Sequence, residues 1–130
     1  MKHYNVVAAV VCHDGKYLCM QKGKTKFDYT SYKWEFPGGK IEPGETPQQA
    51  LARELMEEME YPVEVGEELV TVNHEYPDFS ITMTAFLCTP KGDANEFRRR
   101  EHADSKWCSK DELKGLNWAA ADIDVVEGIL

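Results

Sequence analysis

The segment from Thr46 to Glu60 carries the clearest helix signal in this chain and constrains its fold more than any other feature. Thr46 supplies an N-cap, Pro47 occupies the first helical position, and Gln49 completes a capping box. The apolar positions fall on one arc of about 140°: Leu51, Ala52, Leu55, Met56 and Met59. The pattern predicts an amphipathic helix that packs against a core and ends before Pro62, because proline disfavours the α region for its predecessor.

Strand signals lie on both sides of this helix. The predicted strands are Val6 to Cys12, Lys16 to Gln21, Trp34 to Phe36, Val63 to Val65, Glu68 to His74, Phe79 to Thr89 and Ser105 to Cys108. A long polar and aromatic loop, Gly23 to Lys33, separates the second strand from the third. A helical turn near Asp111 to Lys114 and a last helix from about Asp122 close the chain. Strands around one central helix predict an α/β (α+β) fold with a mixed sheet between helices.

Length and charge bound the class of protein. A chain of 130 residues is typical of one globular domain, so we expect residues 1–130 to form a single domain. The formal net charge of -8 argues against a general nucleic-acid or anionic-membrane binder. Four cysteines without zinc-type spacing, and no signal peptide or membrane-length apolar run, predict a cytoplasmic protein with reduced thiols.

Three carboxylates share the polar side of the predicted helix. Glu54, Glu57 and Glu58 project within about 100°, because spacings of three and four residues share a helix face. By itself this pattern is more typical of a solvated acidic face. However, Glu45 and the glycine-rich segment Gly38 to Gly44 allow the backbone to fold close to the same acids. Hard oxygen donors suit Mg²⁺ or Mn²⁺, which also bind substrate phosphates, so the pattern predicts a metal–diphosphate site.

These residues form a run that resembles the Nudix box: Gly39, five residues, Glu45, seven residues, then Arg53-Glu54-Leu55-Met56-Glu57-Glu58. With Trp34 to Glu42, the resemblance to the MutT-like branch of the Nudix hydrolases extends over most of the chain. It implies the Nudix fold and hydrolysis of nucleoside triphosphates to the monophosphate and pyrophosphate. One position departs, since the late glycine of the box is Glu60 here. If that glycine is a left-handed helix stop, Glu60 carries strain of roughly 1–2 kcal/mol or the helix ends differently.

The resemblance assigns roles within the box. Glu54, Glu57 and Glu58 are the implied ligands of Mg²⁺, or of Mn²⁺ in its place, with the Gly39 carbonyl as an additional ligand. The metal would bridge phosphate oxygens and lower the pKa of the attacking water. Glu54 and Glu57 thereby belong to the catalytic set, which Arg53 and Glu45 would orient.

Two residues outside the box match functional positions of the family. Glu101, six residues before Trp107, matches a loop position from which relatives draw a general base, and equally fits a solvated loop acid. Lys22 aligns with a basic residue that contacts phosphates in relatives, although exposed lysines at strand ends are common. The run Arg98-Arg99-Arg100 favours a solvated basic loop over an anion site.

Base recognition is expected near Asp122, where MutT-like enzymes place an Asn or Asp that hydrogen-bonds the base edge. Phe36 and Tyr76 would provide stacking walls. Capping of the last helix by Asp122, and burial of both aromatic side chains in the core, would explain the same residues. An Asp can pair with cytosine as well as guanine, so it does not choose between them.

The resemblance therefore predicts a Mg²⁺-dependent nucleoside triphosphate pyrophosphohydrolase that sanitises the nucleotide pool, a DNA-repair function, with a substrate such as 8-oxo-dGTP. The alternatives are hydrolysis of CTP or modified pyrimidine triphosphates, and a non-catalytic Nudix-like module that binds a nucleotide. Such modules usually lack box acids, whereas this chain keeps all of them. The expected partner is the nucleotide, without stable nucleic acid or membrane, and the expected assembly is a monomer or homodimer.

Overall fold

Four strands precede and three strands follow one central helix along the chain in the computed structural model, which describes all 130 residues. The elements are β1 (Lys2–His13), β2 (Lys16–Lys22), β3 (Trp34–Glu35), β4 (Gly38–Lys40), α1 (Pro47–Met59), β5 (Val63–Glu75), β6 (Phe79–Pro90), β7 (His102–Cys108), α2 (Lys110–Leu113) and α3 (Ala120–Ile129). The longest helix, α1, has 13 residues, and no helix is both long and apolar enough to cross a membrane.

The strands form one mixed seven-stranded sheet with the order β3-β2-β1-β6-β5, in which β4 also pairs with β1 and β7 with β2. Strands β1 and β6 run parallel from the pair Lys2–Phe79 to the pair Val11–Cys88, and the other strand pairs are antiparallel. The apolar run of β1 is buried, as expected for a strand that is covered on both faces.

The sheet separates two apolar cores. Side chains of β1 alternate between them, since Val7 and Val11 pack with α1 while Val10 packs with α3. Helix α1 contributes Ala50, Leu51, Leu55 and Met59 to the first core. Helix α3 contributes Ala121, Val125 and Val126 to the second. The predicted mixed sheet between helices is therefore confirmed.

Both ends of α1 follow the sequence. Thr46 is the N-cap, and the reciprocal hydrogen bonds of the capping box with Gln49 are both present. Glu60 is the C-cap and adopts the left-handed conformation, with φ 49° and ψ 42°. The expected strain is therefore present, because a side chain with a Cβ disfavours this region by roughly 1–2 kcal/mol.

Three local predictions differ from the structure. No strand was predicted in the glycine-rich segment from Gly38, yet Gly38 to Lys40 forms β4, which pairs with Val6 to Ala8 of β1. The two strands predicted between Val63 and His74 are one bulged strand, β5, because a Cβ-free Gly66 allows close approach to the Leu87 carbonyl. Helix α3 begins at Ala120, before the start that was predicted at about Asp122. Strand pairing between distant segments sets the bounds of β4 and β5, and the local sequence does not indicate this pairing.

Candidate functional site

Arg53 joins the glycine-rich loop to the acidic face of α1. Its Nε and Nη2 donate to the two oxygens of Glu45 at 2.7 and 2.9 Å. Its Nη1 donates to Glu54 at 3.0 Å and to Glu57 at 3.1 Å, and its Nη2 also donates to the Lys40 carbonyl at 3.1 Å. These hydrogen bonds from Arg53 hold the pKa of Glu45 below its usual value. A planar guanidinium thus fixes the loop and two helix acids in one arrangement.

The carboxylate of Glu54 lies against the backbone of Gly39. A Cβ added at position 39 would lie 2.4 Å from Cδ and 2.5 Å from Oε2 of Glu54. Only glycine permits this approach without displacing the carboxylate. Pairing of Gly39 with Val7 in the sheet fixes the other side of the contact.

Glu58 lies one turn further along α1 and lines a cleft together with Glu35 and Glu101. Burial, a hydrogen bond with Glu54, and the charges of Glu101 and Glu35 raise the pKa of Glu58 to about 9. Mutual repulsion among these acids is relieved by a proton or by a cation between them. No group of three or more His, Cys, Asp or Glu side chains is arranged to hold an ion by itself. The oxygen donors of Glu54 and Glu58 nevertheless fit a hard divalent cation that also binds water and phosphate.

The cleft has a volume of about 1130 Å³ and brings together residues that are distant in the sequence. The predicted site residues that line it are Lys22, Phe36, Gly39, Glu58, Tyr76, Glu101 and Asp122. Arg53, Glu54 and Glu57 do not line it. Glu54 lies at the edge of the cleft, where it contacts two lining residues, Gly39 and Glu58. The Glu57 side chain is 61% exposed and pairs with Arg53.

Asp122 lies in the first turn of α3, and its buried carboxyl group faces the backbone of the sheet. Its Oδ1 accepts a hydrogen bond of 3.0 Å from the Phe36 N–H. The N-cap of α3 is Ala119, which has no side-chain cap hydrogen bond, so the capping interpretation of Asp122 is wrong. Burial and the nearby charge of Glu35 raise the pKa of Asp122 to about 8. One oxygen is thus engaged by the backbone, and the other is available to a ligand.

Both predicted stacking residues are buried and also line the cleft. Phe36 stacks on Trp118 with ring centroids 4.8 Å apart. Tyr76 stacks on Phe79 at 4.8 Å, and its hydroxyl accepts a hydrogen bond from the Ala121 N–H at 3.2 Å. The two rings therefore form fixed walls held by core packing.

The sequence did not single out the aromatic part of the Gly23 to Lys33 loop. Phe27 stacks on Tyr29 at 5.1 Å and packs near Phe79 at 6.0 Å, so the loop extends the aromatic wall. The Tyr29 hydroxyl donates to Asp78 at 2.6 Å, which fastens the loop to the β5–β6 turn. The length and aromatic content of the loop were the available signal.

Glu35 and His102 were also missed as neighbours of the predicted site. Glu35 lies 3.5 Å from Lys22 Nζ through one oxygen and 3.1 Å from His102 Nε2 through the other. The His102 side chain is 4% exposed, and its Nδ1 is buried without a hydrogen-bond partner in the protein. Cross-strand pairing of Lys22 with His102 creates this contact, and the spacing of the residues in the chain does not reveal it.

Replacing Asp122 with Asn is expected to flatten the pH dependence of stability. The unfolded carboxyl titrates near pH ~3.9, and the folded one at about 8. Between these values the folded state binds more protons, so stability falls as pH rises through this window. An amide keeps an acceptor for the Phe36 N–H but cannot ionise, so we expect it to be more stable by roughly 2 kcal/mol near pH 8 and not near pH 4.

Thermal unfolding of both proteins at pH 4, 6 and 8 measures this difference. Asp124→Asn, at an exposed position of the same helix, is the matched control and should leave the pH dependence unchanged. A stability difference for Asp122→Asn that does not grow with pH would contradict the buried neutral carboxyl.

The chain matches the NUDIX domain over residues 1–127. It is 41% identical over 90 residues to the 8-oxo-dGTP diphosphatase of Proteus vulgaris, covering 68% of this chain and 78% of that protein. It is 34% identical over 142 aligned positions to the CTP pyrophosphohydrolase of Escherichia coli (strain K12), covering 100% and 93%. The solution structure of the E. coli ORF135 protein superposes with a TM-score of 0.82 at 36% identity, covering 99% and 89%.

Proposed function

This chain belongs to the Nudix hydrolase family, and from that membership we propose that it is a Mg²⁺-dependent nucleoside triphosphate pyrophosphohydrolase. It would release a nucleoside monophosphate and pyrophosphate, and residues 1–130 would form a single domain. Nudix pyrophosphohydrolases act on nucleotides and generally use divalent metal ions. The observation that carries the proposal is the group of acids around Glu58, which opens into a cleft large enough for a nucleotide.

Glu54 and Glu58 are the side chains best placed to hold the cation, with Glu57 and the Gly39 carbonyl as further ligands. A cation held by these residues would supply positive charge to the phosphates and would make the attacking water more acidic. Arg53 keeps Glu54 and Glu57 at fixed positions relative to the loop.

Three groups of the cleft would complete the reaction. Glu101 accepts the proton of the attacking water, since a carboxylate near cations can act as a general base. Lys22, held by Glu35 at 3.5 Å, binds the phosphates as a point charge. Asp122 binds the base edge between the walls formed by Phe36 and Tyr76.

We propose an oxidised purine nucleotide such as 8-oxo-dGTP as the substrate, with nucleotide-pool sanitation as the role. The relative from Proteus vulgaris bears that activity in its name. CTP or a modified pyrimidine triphosphate is the second candidate, because the relative named CTP pyrophosphohydrolase aligns along the whole chain. A neutral carboxyl at Asp122 both donates and accepts, so it can pair with either base.

A panel of 8-oxo-dGTP, dGTP, CTP and a modified dCTP, incubated with Mg²⁺, tests the proposal. We expect monophosphate and pyrophosphate as products, and kcat/KM for 8-oxo-dGTP at least about tenfold above that for dGTP. The highest kcat/KM on CTP or modified dCTP would favour the second candidate. Nucleotide binding without metal-dependent turnover would instead support a non-catalytic module.

A further inference from the structure

We propose that Glu60 and Arg100 are positioning residues that hold Glu101 in place by fastening the segment before it to the end of α1. This inference rests on the proposed function, because it takes Glu101 as the general base. The late glycine of the box, which Glu60 replaces, would then have been exchanged for a side chain that serves the active site.

The Glu60 carboxylate contacts two arginines of the segment that leads to Glu101. One of its oxygens lies 2.5 Å from Arg98 Nε and 2.8 Å from Arg100 Nη2. The backbone N–H of Glu60 meanwhile donates to the carbonyls of Leu55 and Met56, so the carboxylate is held at a defined point at the end of α1.

The segment also binds the carbonyl end of α1 directly. Arg100 Nη1 donates to the Glu57 carbonyl at 3.0 Å, and the Arg98 N–H donates to the Met59 carbonyl at 2.8 Å. The last turn of α1 contains no basic residue of its own. The guanidinium of Arg100 therefore donates a hydrogen bond to the Glu57 carbonyl, which lacks a helical partner, and places positive charge at the carbonyl end of α1.

The early part of the segment is anchored separately from these contacts. Phe97 packs on Tyr61 with ring centroids 5.2 Å apart, and the Tyr61 hydroxyl donates to the Ala94 carbonyl at 2.8 Å. Glu101 follows Arg100 directly and lines the cleft near Glu58, whose pKa its charge helps to raise. Glu101 thus lies between Arg100, which contacts the end of α1, and His102 of β7, which pairs with Lys22 of β2. Arg100 fixes the side of Glu101 that faces α1.

Stability alone does not explain a glutamate at position 60. The left-handed conformation favours glycine there, and ion pairs between exposed side chains contribute little to folding. Both arginines and Glu60 are largely exposed. The contacts are better explained by the geometry they impose on Glu101, since displacement of a general base by a fraction of an ångström slows proton transfer.

Arg99 provides a matched control within the same run of arginines. Its Nη1 donates to the Ala103 carbonyl at 2.7 Å and lies 3.4 Å from Asp104, away from α1. We expect Glu60→Gly and Arg100→Ala to lower kcat about tenfold with little change in KM, whereas Arg99→Ala stays within about twofold. The Tm of Glu60→Gly should be equal to or above that of the parent, which separates positioning from folding.

A double-substitution cycle with Glu101→Gln decides the mechanism. If Arg100 acts through Glu101, Arg100→Ala should cause no further loss of kcat in the Glu101→Gln background, and each single variant should alter the same limb of the pH–kcat profile. If the losses of kcat from Arg100→Ala and Glu101→Gln multiply in the double variant, the inference is wrong. It is also wrong if Arg100→Ala keeps the parent kcat while Glu101→Gln is impaired. Neither result would contradict the proposed function. Turnover of Glu101→Gln within about threefold of the parent would remove the base and this inference together.

Discussion

Replacing Glu58 with Gln is expected to lower kcat by on the order of 10³-fold, equivalent to about 4 kcal/mol of activation free energy. The change should not lower the thermal stability of the metal-free protein at pH 8. Burial and neighbouring acids raise the pKa of Glu58 to about 9, so the folded side chain is mostly protonated there, and Gln resembles that form. In the unfolded chain the same carboxyl is ionised at this pH. Because its pKa is higher in the folded state, Glu58 makes the folded protein less stable as pH rises, and Gln removes this loss.

The two effects are separated by measuring steady-state turnover and thermal unfolding with and without Mg²⁺. If Glu58 is a metal ligand as proposed, Mg²⁺ should raise the Tm of the parent protein and not that of Glu58→Gln, because a ligand that binds only the folded state stabilises it. Glu64→Gln, at an exposed position on β5, is the matched control and should retain the parent behaviour. Turnover of Glu58→Gln within about tenfold of the parent would remove Glu58 from the metal site.

Alanine at Gly39 is expected to reduce kcat about 10²-fold with only a small change in stability. Its Cβ would meet the Glu54 carboxylate at 2.4 Å, and that flexible side chain can yield by leaving its place beside Glu58 and Arg53. Alanine at the preceding Gly38 should act differently. Its Cβ would lie 1.9 Å from the Val7 carbonyl oxygen, a backbone atom that cannot yield without disrupting β1–β4 pairing. We therefore expect Gly38→Ala to cost several kcal/mol, about 3 or more, of folding free energy.

Gly92→Ala is the control for both substitutions. No atom lies within 4 Å of a Cβ at that position, and its backbone has no positive φ. Thermal unfolding and kcat measured on the three variants should assign the loss of stability to Gly38 and the loss of activity to Gly39. Full activity in a folded Gly39→Ala protein would show that the contact with Glu54 is dispensable.

Local sequence patterns were sufficient to predict the helix that carries the acidic side chains. The capping box at Thr46 and Gln49, and the end of α1 at Glu60, depend on residues within one turn of each other. The spacing of Gly39 and Glu45 to the helix likewise predicted the family, which the match over residues 1–127 confirms. These features can be predicted from the sequence because the residues that interact lie close together along the chain.

Contacts between segments that are distant in the sequence could not be predicted from such local patterns. The bridge of Glu35 to Lys22 and His102 depends on the register of β2 with β7. The hydrogen bond from the Phe36 N–H to Asp122 joins residues 86 positions apart, so the sequence could not decide between a helix cap and a site residue. Pairing of β4 with β1 was hidden because glycines are typical of turns and rare in strand interiors.

The parallel pairing of β1 with β6 has a consequence for the order of folding. His3 and Ser80 meet across this junction although 77 residues separate them, and long-range closure of this kind is slow. Helix α1 buries Leu51 and Leu55 in a core that includes Phe86 of β6, and a 13-residue helix is marginal without such packing. During synthesis, the box acids should therefore be made early and become ordered late, after β6 has joined the sheet.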